Sequence, residues 1–295
     1  MAKKEKEENT EGLEGYSPEM KKKILKELKK RERRRKLLIF SFALMGAAFL
    51  GYFAYYYLSA GKKDKESGTL SALKGSDVLK TKQGGTAEYL AKLSGRDTEA
   101  ENRDILDKYL TLYNKNKDII GWIKIDGTII DYPVMQTGDN EYYLNHDFDK
   151  KDDRAGCIFL DCRCDVKQGN DNFILYGHHL TSGRMFSGLS EYEKESYYKN
   201  HPYICFDTIY KEGTYQVMYA FRSRVYDATD VNFKYYDFID AASEEEFTSY
   251  MNEMKEASYY DTGVTASFGD ELLTLSTCDY KEENGRFAVV AKRIR

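Results

Sequence analysis

Between Leu37 and Ala60 the chain runs for 24 residues without a charge, and no soluble fold of ordinary size accommodates that run easily. As a helix it spans roughly 36 Å at about 1.5 Å per residue, enough to cross a hydrocarbon core of about 30 Å. It is longer than the apolar region of a signal peptide, and no clear cleavage site follows it. Tyr52, Tyr55, Tyr56 and Tyr57 crowd its C-terminal end, where an interfacial aromatic belt belongs. Residues 21–36 carry eleven Lys or Arg against Glu27 and Glu32, so residues 1–36 sum to about +6 and the remainder to about −10. A basic block of this kind also suits nucleic acid, but beside an apolar span it reads as the positive-inside signal. The expected organisation is a basic cytoplasmic tail at 1–36, a transmembrane helix at 37–60, and everything after Lys62 outside the cell.

Residues 61–100 are rich in Lys, Gly, Ser and Thr and read as an extracellular linker, with a short helix near Tyr89-Leu90. From Glu101 the pattern changes. Ile105, Leu106, Tyr109, Leu110 and Tyr113 fall at helical spacing. Strand-like segments follow at Gly121–Ile125, Thr128–Gln136, Gly156–Asp161, Asn172–Tyr176, Tyr203–Ile209 and Thr214–Tyr226, the last two joined by a turn at Tyr210–Gly213. A helix over 243–258 interrupts them: Ser243 and Glu246 form a capping box, and Phe247, Tyr250, Met251 and Met254 share one face. The fold class is therefore mainly β with helices, a barrel or sandwich over 101–295.

The last strands carry the chemistry. Leu272-Leu273-Thr274-Leu275-Ser276-Thr277-Cys278 is an apolar, β-branched run ending on a thiol, and Arg286-Phe287-Ala288-Val289-Val290-Ala291 reads as its neighbour. Seven residues lie between Cys278 and Arg286, among them the turn signal Asn284-Gly285. Adjacent strand ends thus bring a thiol and a guanidinium together, and positive charge favours the nucleophilic thiolate. A proton carrier is also required, and histidine suits neutral pH. Asn172-Phe173-Ile174-Leu175-Tyr176-Gly177-His178-His179 is an apolar strand ending on two histidines, of which strand alternation lets only one readily meet Cys278. His146 and His201 sit in polar, loop-like stretches. Five cysteines, at 157, 162, 164, 205 and 278, leave at least one thiol unpaired within the chain. No CxxC or spaced His pair accompanies them, so no metal and no cofactor is expected.

Thr274-Leu275-Ser276-Thr277-Cys278 followed by Arg286, with Tyr176-Gly177-His178, resembles the signature of sortases, the membrane-anchored cysteine transpeptidases of Gram-positive bacteria. The likeness runs from about Gly121 to Arg293. Asp131-Tyr132-Pro133-Val134-Met135-Gln136, the segment Asp139–Asp147 and the helix ahead of the cysteine strand are similar to class B sortases in particular. The resemblance implies an eight-stranded β barrel and a triad of Cys278, His178 and Arg286, selecting His178 over His179. It also implies a substrate groove that includes Asn140, Leu144, Ser276 and Thr277. Its implied partners are surface proteins with a threonine-containing sorting motif, a peptidoglycan amine and the plasma membrane, with no nucleic acid.

Two other readings stand beside it. One is a pilin-polymerising sortase with a lysine acceptor, which a single sequence does not separate from the first. The other is a membrane-anchored binding ectodomain without catalysis, against which the intact Cys278, His178 and Arg286 weigh. A papain-like hydrolase needs its cysteine before its histidine, the reverse of the order here.

Overall fold

Phe173-Ile174-Leu175 and Leu272-Leu273-Thr274-Leu275 are apolar at successive positions, a pattern suited to strands buried on both faces. The computed structural model, which describes residues 17–74, 105–227, 229–279, 281 and 283–295, places them side by side in one sheet. The strands in chain order are β1 (Ile119–Lys124), β2 (Asp131–Met135), β3 (Ile158–Leu160), β4 (Asn172–Tyr176), β5 (Tyr203–Thr208), β6 (Thr214–Arg224), β7 (Leu272–Cys278) and β8 (Gly285–Arg293). They close into a barrel in the order β1-β2-β3-β4-β7-β8-β6-β5. Two neighbouring pairs, β2–β3 and β4–β7, are parallel. The choice between sandwich and barrel is thereby settled in favour of the eight-stranded barrel.

Register follows from which face each side chain must bury. Leu273 and Leu275 of β7, Phe287 and Val289 of β8, and Val134, Ile158 and Leu160 fill the interior, all with no exposed surface. The alternate positions of β7 and β8 point outward. There Leu272, Ala288 and Val290 pack beneath the helix Glu244–Ala257, which buries Phe247, Met251 and Met254 on them. That helix begins as its sequence requires: Ser243 Oγ accepts from the Glu246 amide at 3.2 Å. The chain turns from β5 to β6 at Tyr210–Gly213, with Phe206 N donating to Gly213 O at 3.0 Å. It enters β8 through Asn284, whose φ of 56° is the left-handed conformation that Asn tolerates.

The remaining helices are Pro18–Leu73, Asp107–Lys115 and the short Glu195–Asn200. Asp107–Lys115 buries Tyr109 and Leu112 against Ile119 and Trp122, the contact that its apolar spacing predicts. The chain divides into two units, Met1–Glu66 and Ser67–Arg295. In the first, the uncharged stretch lies within one unbroken helix that continues past Ala60 to Leu73. Phe40, Leu50 and Phe53 on it are 64%, 74% and 72% exposed, so no described part of the chain covers this apolar surface. Among the described residues it is the one helix long and apolar enough to cross a membrane. In the second unit, Leu70 and Leu73 at the helix end pack with the Trp122 cluster. Residues 75–100 of the expected linker, including the helix near Tyr89-Leu90, lie outside the described residues, as do residues 1–16 of the tail.

Removing the Ser243 cap leaves a helix-terminal amide without its acceptor. Ser243→Ala should lower stability by about 1 kcal/mol. Urea unfolding that shows no change in midpoint would contradict this.

Candidate active site

Cys278 is the last residue of β7, and its antiparallel partner across the sheet is Arg286. Directly opposed residues share a face, and counting by twos from Leu272 puts that face on the outside of the barrel. Past the helix Glu244–Ala257, this outer face ends in the paired residues Cys278 and Arg286, both half-buried. The seven-residue return between them is held from within. Asp279 N donates to Gly285 O at 2.9 Å, and the Asp279 carboxylate accepts from Lys281 N at 3.1 Å.

The third group arrives along β4. Its parallel register pairs Tyr176 with Ser276, and two bonds carry the pairing past the strand end. Gly177 N donates to Ser276 O at 3.2 Å, and Thr277 Oγ1 donates to Gly177 O at 2.7 Å. Two residues on from the Tyr176–Ser276 pair, the chain reaches His178 after β4 and Cys278 at the end of β7. Only glycine fits between: a Cβ at Gly177 would collide with Ile158 and stand 2.8 Å from the Phe186 ring. The His178 ring is then fixed by Nε2, 2.8 Å from Leu144 O. A carbonyl only accepts, so Nε2 carries the proton and Nδ1 is the nitrogen able to exchange one. His179 faces differently, with Nδ1 at 3.2 Å from the Cys278 carbonyl.

Asn140 and Leu144 lie in the segment between β2 and β3, Leu144 at the end of the short 3-10 turn Tyr142–Leu144. Asn140 Oδ1 accepts from Cys162 N at 2.8 Å, and Leu144 provides the carbonyl that orients His178. Ser276 and Thr277 are 1% and 2% exposed. The Ser276 hydroxyl is engaged with Tyr235 OH at 2.7 Å, and that of Thr277 with Gly177 O. Their hydroxyls therefore brace the site from beneath. Burial pushes the Tyr235 phenol up to about 12, although its bond to Ser276 and the nearby Arg286 charge act the other way.

Two charge clusters went unread in the sequence. At the β3–β4 turn, fully buried Asp161 accepts from Arg163 Nε at 2.9 Å, from Arg163 Nη2 at 2.8 Å and from Tyr176 OH at 3.0 Å. Burial opposes its ionisation, but these donors prevail and hold its carboxyl below the usual range. Arg163 also donates to Tyr236 O, tying this turn to the loop that carries Tyr235. At the barrel mouth Arg222 grips Asp279, takes Glu193 in two bonds of 2.7 and 2.8 Å, and meets Tyr259 OH at 2.6 Å. Hydrogen bonds from Arg222 and Lys281 bring Glu193 down to about 2.

The sequence offers Arg286 three acidic neighbours for a surface ion pair, Asp279, Glu282 and Glu283. Asp279 is taken by Arg222. Among the described residues Arg286 has no carboxylate partner, and its Nη1 donates to Gly285 O at 2.9 Å. Glu282 lies outside the described residues. All five thiols are free. Cys157 and Cys164 are buried, and burial pushes both thiols up, Cys164 to about 12, as befits inert core residues. Among the described residues no cluster of three or more His, Cys, Asp or Glu side chains has the makings of a metal site.

The geometry has close counterparts among known proteins. The family model described as "Sortase domain" matches residues 123–294. Sortase B of Staphylococcus aureus is 38% identical over 190 residues, which cover 64% of this chain and 75% of that protein. Sortase B of Listeria monocytogenes is 33% identical over 195 residues, covering 65% and 76%. A solved Staphylococcus aureus sortase B–substrate complex superposes with a TM-score of 0.64 at 31% identity, covering 81% of this chain and 99% of that one.

Removing the Arg222 guanidinium strands two carboxylates and frees Asp279 to draw Arg286. Hydrogen bonds to charged groups are each worth about 1.5–3 kcal/mol, so Arg222→Met should destabilise the domain on that scale. Calorimetry showing an unchanged Tm would contradict the clamp. Cys278→Ala, denatured without reductant, should titrate as four free thiols, against five for the parent chain; a count of two would reveal a disulfide.

Proposed function

The chain belongs to the sortase family of cysteine transpeptidases, and from that premise we propose that it anchors surface proteins to the cell wall from the outer face of the plasma membrane. Its relatives are class B sortases. In this reading residues 1–36 are a cytoplasmic tail, 37–60 the membrane span, 61–100 the linker and 101–295 the catalytic domain. The uncovered apolar helix supports anchoring, and the basic residues before it support a cytoplasmic N-terminus.

The substrate is a protein with a threonine-containing sorting motif near its C-terminus. With the thiol proton transferred to His178, Cys278 Sγ attacks the carbonyl carbon of that threonine. As the tetrahedral intermediate collapses, His178 gives a proton to the departing amide nitrogen and the C–N bond breaks, leaving a thioester. An amine of the cell-wall peptide then attacks the thioester, His178 accepts its proton, and the Cys278 thiolate leaves. Arg286 stabilises the oxyanion in both halves, a role that suits a guanidinium with no carboxylate partner among the described residues. Asn140 and Leu144 border the bound peptide, while Ser276 and Thr277 shape the groove from below. One solved relative is a sortase B complexed with triglycine, which supports a small peptide amine as the acceptor class.

One observation carries this reading: Cys278 and Arg286 are cross-strand partners at the end that His178 reaches along β4. The full-length chain in detergent should cleave threonine-containing peptides from a sorting-motif library. It should join them to an added amine, with oligoglycine, diaminopimelate and pilin-type lysine amines compared as acceptors. Cys278→Ala should abolish turnover, and Arg286→Met should lower kcat by about 10²–10³-fold, the usual loss for one oxyanion donor. Unchanged cleavage by Cys278→Ala would eliminate the transpeptidase reading of this site.

A further inference from the structure

Resting on Cys278 as the nucleophile, we infer that His179 is a positioning residue whose ring replaces a missing ladder hydrogen bond and holds the strand end that carries the thiol. Parallel strands exchange evenly spaced hydrogen bonds, and along β4–β7 the last of these is Gly177 N to Ser276 O at 3.2 Å. The next in sequence would run from the His179 amide to the Cys278 carbonyl. The chain leaves the sheet instead. β4 ends at Tyr176, His179 pairs with Met185 in an isolated bridge, and Phe186 N returns to His178 O at 3.0 Å. The departure takes the backbone donor away from the Cys278 carbonyl.

The His179 side chain fills that place, with Nδ1 at 3.2 Å from the Cys278 carbonyl, and since the carbonyl only accepts, Nδ1 carries the proton. Adjacent histidines thus use opposite nitrogens on two carbonyls. His178 Nε2 on Leu144 O fixes the imidazole, and His179 Nδ1 on Cys278 O fixes the strand that presents the thiol. The same peptide group is held from its other side, where Asp279 N donates to Gly285 O at 2.9 Å. Loss of the His179 donor would free one side of the Cys278 peptide at the rim. Small displacements of a reacting group cost far more in turnover than in binding or folding.

His179→Asn and His179→Leu test this in the full-length chain. Both are uncharged and similar in size, and only Asn keeps an N–H near the position of Nδ1. Asn should retain most of kcat. Leu should lose about tenfold in kcat, equivalent to about 1.4 kcal/mol in the activation barrier, with KM and Tm nearly unchanged. Equal kcat in the two variants, whether both active or both impaired, would overturn the donor role, as would a loss in Leu that tracks a fall in Tm. Iodoacetamide labelling of Cys278, mapped by mass spectrometry, reads the same geometry without a substrate. If the parent chain cleaves no sorting peptide, the transpeptidase reading fails. Labelling rates then judge the positioning role alone: a rate altered in Leu and restored in Asn upholds it, and equal rates sink it.

Discussion

The parallel pairing of β4 with β7 is the constraint from which the rest of the site follows. Its register, Tyr176 beside Ser276, sets which residues come level when both strands run out, and a slip of one residue would turn the outer face inward. Burial on both faces keeps that slip from happening. Leu273 and Leu275 belong to the interior, Leu272 belongs under the helix Glu244–Ala257, and no other alternation satisfies both. The antiparallel β7–β8 pairing then adds Arg286 to the same rim. His178, a hundred residues from Cys278 in the chain, and Arg286, a short return away, are thus brought to one edge by apolar packing that none of the three takes part in.

Charge is kept apart with equal care. A guanidinium beside several acidic residues would ordinarily pair with one and lose much of its field. Arg222 removes the nearest candidate by holding Asp279 inside the barrel mouth, on the opposite face of the sheet from Cys278. Glu193 and Tyr259 complete the Arg222 grip, so the return from Cys278 to Arg286 is anchored by one arginine while the other stays directed to the outer face. Arg163 and Asp161 form a second such clamp, joining the β3–β4 turn to the segment of Tyr235.

Much of this was legible beforehand because it rests on local signals. The apolar runs of β4 and β7, the Asn284-Gly285 turn and the Ser243 cap each declare themselves within a few residues, and Asn172–Tyr176 is a strand at the very bounds its composition suggests. What sequence did not show depends on contacts across long separations. Nothing near Arg222 announces Asp279, and nothing near Tyr235 announces Ser276, because each pair meets only after the barrel closes. Ser276 and Thr277 illustrate the same gap. Their motif marks them as part of the site, while their burial under Tyr235 and Gly177 emerges only from packing. The N-terminal helix runs past both ends of the uncharged stretch, from Pro18 to Leu73, because Lys and Arg end an apolar run without ending a helix.

The central claim is that the thiol at the end of β7 forms the covalent bond to substrate. Intact-mass spectrometry of the full-length chain, quenched in acid during turnover of a cleaved peptide, tests it most directly. The account predicts an adduct equal to the acyl portion ending in threonine, mapped to Cys278 and released by hydroxylamine. Peptide turnover with no adduct at this cysteine, or an adduct mapped to another of the five, would contradict it.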